Sequence, residues 1–168
     1  MALLFSVNLN ALMRRMILRL NLFVRRLLYP LLRLYWYVVR PVTSGSKVVL
    51  IYQSEVLLIK HIIGKAWTFP GGRIEKGELP IETAKREIQE ELAITLDKIY
   101  STGSFFTNYQ YKQDTVHCFW AEVENKNFII DPVEITEAKW FPKDQIPLLG
   151  PNAQKMYQAY LNQLFLEE

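Results

Sequence analysis

One cysteine, Cys118, stands among 168 residues, so no intramolecular disulfide can form and no cysteine metal site can be assembled. That usage fits a reducing compartment and leaves stability to packing. Acidic residues are missing before Glu55, a stretch with eight Lys or Arg. The remainder holds twelve basic and seventeen acidic residues, a balance of −5 within an overall +3. Two differently charged parts therefore share one chain, with a boundary expected near residues 40 to 46. Long apolar runs are missing too. No uncharged run is longer than that of residues 1–13, which is too short to cross a bilayer, has no leading basic segment and is interrupted by Asn8 and Asn10. Neither a membrane span nor a signal peptide is expected, and no internal repeat or low-complexity tract is present. Half of the residues are apolar, enough for the core of one domain.

Residues 11 to 40 read as helix, with Pro30 as a break or kink and Pro41 followed by "TSGS" as an exit into a linker. "KVVLIYQSEVLLIK" holds two β-branched and aliphatic runs around Gln53, Ser54 and Glu55, the pattern of a hairpin. A short strand piece, Trp67 to Phe69, is stopped by Pro70, Gly71 and Gly72. Pro80 suits the first turn of a helix running to about Leu92. "YSTGSFFTNYQY", "TVHCFWAEVE" and "EAKWFP" read as strands. Ala153, Met156, Tyr157, Tyr160, Leu161 and Leu164 form the apolar stripe of a last helix. Strands mixed with helices make residues 47 to 168 an α/β or α+β domain.

Residues 71 to 94, "GGRIEKGELPIETAKREIQEELAI", carry six of the seventeen acidic residues. On a helix, Glu90 and Glu91 lie about 60° and 40° to either side of Glu87, so three carboxylates share one arc. Ile81, Ala84, Ile88 and Leu92 occupy a neighbouring arc that would anchor the helix on the sheet. Like charges at this spacing repel, so the cluster calls for a compensating partner. Oxygen donors of this hardness suit Mg²⁺ or Mn²⁺, and such an ion points to a phosphate ester or anhydride as substrate. An acidic helix face in solvent is the bland reading of a bare "EIQEE".

The full spacing reaches further. Gly72, five residues, Glu78, seven residues, Arg86-Glu87-Ile88, one residue, Glu90-Glu91, one residue, then Ala93-Ile94 resembles the signature of the Nudix hydrolases. Ala93 stands where that family has glycine. "AWTFPGGRIEKGE" and "EAKWFPKDQIP" look like the flanking segments of the same family. The resemblance implies an α/β fold, the Nudix-type α/β/α sandwich with a mixed sheet over residues 47–168. Residues 1–46 would precede it as a basic amphipathic helical arm and linker. It also implies a metal-dependent pyrophosphohydrolase that cleaves the diphosphate linkage of a nucleoside diphosphate derivative, ADP-ribose-like or a dinucleoside polyphosphate, by water attack on phosphorus. Mg²⁺, or Mn²⁺, would be the cofactor.

In family terms Glu87, Glu90 and Glu91 serve catalysis and bind metal, with Glu78 and Gly72 completing the metal set. Gly71 and Gly72 let the backbone pass close to the substrate. Arg86, off the metal arc, is read as structural, pairing with Glu90 or reaching back to Glu78. Glu134, six residues before Trp140, is the candidate base, with Glu137 and a box glutamate as the other choices. Tyr109 and Tyr111 are candidates for stacking a base, although an aromatic strand is also ordinary core. His61 and His117 are read as packed or solvent-facing. Two rivals to the enzyme are a nucleotide-sensing module that no longer turns over and a membrane-associated protein recognising headgroup diphosphates.

At 100° per residue, Arg14, Arg15, Arg19, Arg25, Arg26, Arg33 and Arg40 fall within about 140° of arc, with Leu12, Met16, Leu20, Phe23 and Leu27 on much of the rest. Such an arm fits an anionic membrane surface through residues 11–40, docking on its own domain or on the partner of a homodimer, or an organelle-targeting presequence. Nucleic acid is disfavoured, because the aromatics gather at "LYWYVV" and not among the arginines. The expected location is cytoplasmic, peripheral on a membrane where the arm binds one.

Overall fold

The computed structural model describes residues 27–108 and 111–164, for Leu164 the backbone alone. Residues 27–39 are helical (α1). The predicted hairpin follows as β1 (Val42–Tyr52) and β2 (Glu55–His61), with Gln53 at positive φ in the turn. Then come α2 (Pro80–Leu92), β3 (Tyr100–Thr107), β4 (Gln113–Glu122), β5 (Ile135–Pro142) and α3 (Pro151–Leu164). The strands make one mixed sheet in the order β3-β4-β1-β2-β5, in which β1 and β4 are parallel and the other neighbours antiparallel.

Alternation along the central hairpin creates the layers, because successive strand residues face opposite sides. Val48, Leu50, Leu57 and Ile59 pack with Ala84, Ile88 and Leu92 of α2 on one face. Val49, Ile51, Val56 and Leu58 pack with Ala153, Met156 and Tyr160 of α3 on the other. The result is the α/β/α sandwich. α2 therefore rests on the middle of the sheet with its carboxylate arc turned toward the edge of that contact.

Three expectations are revised. Thr43 to Ser46, read as linker, are the first half of β1, paired with β4 from Val42 opposite Gln113. Their small side chains reflect close packing: the loop after Pro70 lies across them, with Ser46 N–H donating to the Gly72 carbonyl at 2.9 Å and Ile74 N–H to Ser44 at 2.9 Å. A side chain on Gly45 would stand 2.9 Å from the Gly72 carbonyl oxygen. Helix α1 continues across Pro30 without a break between 27 and 39, while Arg40 leaves the helix at a φ of 46°. Ile81, placed on the anchoring arc, is exposed, and Thr83 is buried instead. Residues 11–26 of the proposed arm lie outside the described residues.

The ends of α2 are set by local chemistry. Pro80 opens it, and the Glu82 carboxylate accepts from Leu79 N–H at 3.0 Å. Ala93 closes it in the left-handed region, φ 55°, with its N–H on the Gln89 carbonyl at 3.0 Å. Alanine thus takes the conformation glycine adopts without penalty. Ala93→Gly is expected to raise stability in urea denaturation by up to about 1 kcal/mol, the relieved strain exceeding the added freedom of the unfolded chain. A loss of stability would show that the Ala93 methyl group contributes more than its conformation costs.

Candidate active site

Lys47, at the middle of β1, organises the bottom of a cleft. Its ammonium donates to the carbonyls of Phe69 at 3.0 Å and Gly71 at 2.8 Å, tying the glycine loop to the sheet. The same loop meets α2 from the other side, where Gly71 N–H donates to Glu91 Oε2 at 2.8 Å. Glu91 is buried, 2% exposed, and burial pushes its carboxyl up to about 7 against the attraction of Lys47. Burial also pulls the Lys47 ammonium below its ordinary range. His61, at the end of β2, places Nδ1 3.8 Å from Glu91 Oε1 and is pushed down to about 4, first by burial and then by Lys47.

One turn earlier on α2, Glu87 is also largely buried, and a side chain on Gly72 would coincide with its carboxyl group. Burial raises the Glu87 pKa despite a bond from Arg86. Arg86 bridges the cluster as the helical angle suggested, in both of the ways considered. Nη1 donates to Glu87 Oε1 at 2.8 Å and Glu90 Oε2 at 3.0 Å, while Nε and Nη2 grip Glu78 at 2.8 and 3.0 Å. That fork holds the half-buried Glu78 carboxyl down at about 2. Glu90 is the most solvent-facing of the three box carboxylates, with its side chain 59% exposed.

Among the described residues no three acidic or imidazole side chains are arranged to hold a metal as they stand. The donor set nevertheless fits a hard divalent cation. Glu87 and Glu90 already converge on one positive centre, the Arg86 guanidinium, and burial leaves Glu87 and Glu91 short of neutralising charge. The Gly72 carbonyl spends one lone pair on Ser46 N–H and keeps a second.

Glu134 is exposed on the turn before β5, close enough for its charge to act on Lys47, Glu87 and Glu91. Glu137 is engaged elsewhere, 2.8 Å from Lys60 across the β2–β5 pair. Tyr111 does not line the cleft: its ring meets Tyr37 of α1 edge-on at 5.2 Å, with Arg33 5.8 Å above it. Its backbone, φ 65°, turns it toward the helix. Tyr109 lies outside the described residues.

The cleft, about 660 Å³, is lined by Gly71, Gly72, Lys47 and His61 at the glycine loop and by Arg73, Lys112 and Asp114 further out. Tyr35 and Trp36 of α1 close it. Sequence reasoning missed most of these groups. Lys47 sits one residue before an apolar run, where a lysine reads as a strand end, and His61 reads from sequence as packed or solvent-facing. The one available signal was that Lys47 opens "KVVLI" where the parallel pattern demands apolar neighbours on both faces.

Comparison with known proteins agrees with this geometry. The model of the NUDIX domain matches residues 43–163. A candidate 8-oxo-dGTP diphosphatase of Bacillus subtilis (strain 168) is 29% identical over 122 residues, 71% of this chain and 80% of that protein. The NAD-capped RNA hydrolase NudC of Salmonella typhi is 30% identical over 102 residues, 59% of this chain but only 38% of NudC, so the chain spans well under half of that relative. Among solved structures, the MutT protein of Methanosarcina mazei Go1 superposes with a TM-score of 0.65 at 18% identity, covering 74% of this chain and 96% of that one. The NUDIX domain of Shewanella oneidensis NrtR, complexed with ADP ribose, gives 0.62 at 19% identity, with 74% and 88% covered. A match over most of the chain, together with the sandwich and its glutamate helix, places this protein in the NUDIX family as a Nudix hydrolase, a pyrophosphohydrolase in the broad sense.

Proposed function

We propose that the chain hydrolyses the diphosphate linkage of a nucleoside diphosphate derivative, ADP-ribose-like or a dinucleoside polyphosphate, by water attack on phosphorus. The observation that carries this reading is the packing of Glu87 and Glu91 against the Gly71–Gly72 loop, which puts buried carboxylates beside backbone able to approach a diphosphate. Nudix hydrolases generally use divalent metal ions, and Mg²⁺, or Mn²⁺, is the reading for this site, held by Glu78, Glu87, Glu90, Glu91 and the Gly72 carbonyl. When bound, such an ion supplies charge neutralisation and Lewis acidity at the diphosphate. Arg86 fixes the orientation of the carboxylates. Glu134, facing the same cluster from its turn, takes the proton of the attacking water.

A panel of ADP-ribose, dinucleoside polyphosphates, nucleoside triphosphates and CDP-alcohols with Mg²⁺ tests the substrate, and ¹⁸O-labelled water tests the bond. Label is expected in a phosphate product; label in a sugar or alcohol product would rule out attack at phosphorus. Glu134→Gln is expected to depress turnover most at low pH and to recover in part as pH rises. A pH-independent change of less than about threefold would move the base to the box.

A second reading concerns the arm. Residues 1–41 are proposed as an appended arm leading into β1, cytoplasmic and peripheral on an anionic membrane through residues 11–40. The specific support is the exposure of α1, where Leu27, Leu31, Leu34 and Val38 are each more than 60% exposed. Arg33, Trp36 and Tyr37 meet the domain at Tyr111 and Lys112. A homodimer contact through the same face is the alternative occupant. Among the described residues no helix is long and apolar enough to cross a membrane.

A further inference from the structure

α1 shares a wall with the candidate active site. Tyr35 and Trp36 line the same cleft as Gly71, Gly72 and Lys47. They are held there: Lys112 Nζ lies 3.6 Å from the centre of the Trp36 ring, and Gln113 N–H donates to the Pro41 carbonyl at 3.0 Å. Immediately beyond this wall the helix turns apolar on its open side. Leu31, Leu34 and Val38 are 61–73% exposed, as is Val42 at the start of β1 at 77%, and nothing among the described residues covers them. Tryptophan and tyrosine beside an apolar, arginine-rich segment is the composition of the membrane–water interface.

A molecule spanning this cleft meets two unlike surroundings. At the inner end are the Gly71–Gly72 loop and Lys47, and the Glu87 and Glu91 carboxylates pack against the α2 side of that loop. Arg73 and Lys112 add positive charge on the way out, with Asp114 tied to Thr43 by a 2.6 Å bond. At the outer end are two aromatic rings leading onto an apolar helix. A soluble nucleotide can stack its base on the two rings but leaves the apolar helix beyond them facing water, whereas an amphiphile anchored in a bilayer presents its diphosphate at headgroup depth, where interfacial aromatics sit, and lets that helix enter the lipid.

We propose that the substrate is a lipid-linked nucleoside diphosphate, drawn from the membrane over Tyr35 and Trp36 with its diphosphate at the Gly71–Gly72 loop. The proposal rests on the hydrolase reading above. Water oxygen bonds to one phosphorus and the bridging P–O bond breaks. The bridging oxygen leaves on the other phosphate and the water proton passes through Glu134 to solvent, giving a nucleoside monophosphate and a phosphorylated lipid.

The test uses the full-length protein with Mg²⁺. CDP-diacylglycerol in phosphatidylglycerol vesicles is compared with soluble CDP-glycerol and ADP-ribose in the presence of the same vesicles. The lipid substrate is expected to show kcat/KM at least about tenfold above CDP-glycerol, and Trp36→Ala to reduce that ratio through KM. An independent readout is quenching of tryptophan fluorescence by vesicles of brominated lipid, expected for the wild type and largely lost in Trp36→Phe. Turnover of ADP-ribose or CDP-glycerol with CDP-diacylglycerol untouched would overturn the lipid proposal and leave the hydrolase reading standing. Turnover of none of these, nor of the wider panel, alongside intact quenching would sink the hydrolase reading itself. Undiminished quenching in Trp36→Phe would place another tryptophan at the bilayer and overturn the proposed geometry.

Discussion

Glu91→Gln is expected to lower turnover at least about a hundredfold while making the metal-free protein more stable at pH 8. Both effects come from one buried carboxylate. Glu91 accepts from Gly71 N–H at 2.8 Å, and a glutamine oxygen can keep that bond. What glutamine lacks is the negative charge, and losing charge stabilisation worth a few kcal/mol acts directly on the transition state. The same charge strains the fold when no metal is bound. Burial lifts the Glu91 pKa from 4.5 to about 7, so between these values the folded chain keeps a proton that the unfolded chain has released. Stability therefore falls as pH rises through this window, and the loss is complete above it. At pH 8 it amounts to about 3 kcal/mol, and at pH 5 to less than about 1 kcal/mol. His61, pushed down to about 4, works in the opposite sense below pH 6.5 and is present in both proteins. Thermal denaturation with a chelator at pH 5 and pH 8 separates the effects, and Mg²⁺ should narrow the gap by stabilising only the wild type. Equal stability of the two proteins at pH 8 without metal would show that the carboxylate is not strained, and wild-type turnover would remove Glu91 from the metal set.

The parts of this site that could be read in the sequence are those carried by one helix. Spacing at 3.6 residues puts Glu87, Glu90 and Glu91 on one arc and sends Arg86 toward both Glu78 and Glu90, and the structure shows those bonds. The angle did not say how deep each carboxylate lies, because depth depends on what crosses above the helix. That is the Gly71–Gly72 loop, which buries Glu91 and leaves Glu90 exposed. Nor could the pattern say that "TSGS" is strand. Small polar residues signal a linker in isolation, and here they are small because another backbone lies on them. Tyr35 and Trp36 were legible only as aromatics gathered in "LYWYVV" and not as cleft wall, since that needs the chain just before β4 to bring Lys112 against the Trp36 ring. Long-range juxtaposition is the common element in each omission.

That loop also explains why two adjacent glycines are expected to fail differently. Gly71 has φ 126°, and a Cβ there would collide with the Ser46 carbonyl oxygen and stand 2.9 Å from Lys47 Cα. Both obstacles are backbone of the central strand, so no rotamer relieves them. Gly71→Ala must lift the loop off β1, weakening the bonds from Ser46 N–H to Gly72 and Val48 N–H to Pro70 and pulling Gly71 N–H from Glu91. A loss of at least about 3 kcal/mol follows from strain and broken bonds together. Gly72 does not have a positive φ, and the three atoms nearest a Cβ there all belong to the Glu87 carboxyl group. A side chain can move aside, so Gly72→Ala should keep the fold within about 1 kcal/mol of wild type while displacing a proposed ligand. Turnover should fall at least about thirtyfold, and less so as Mg²⁺ is raised. Urea denaturation and Mg²⁺-dependent kinetics on the two variants side by side make the comparison. If Gly72→Ala unfolded the protein as readily as Gly71→Ala, the loop would be acting as one rigid support; if it turned over substrate like wild type, Glu87 would not need its place beneath Gly72.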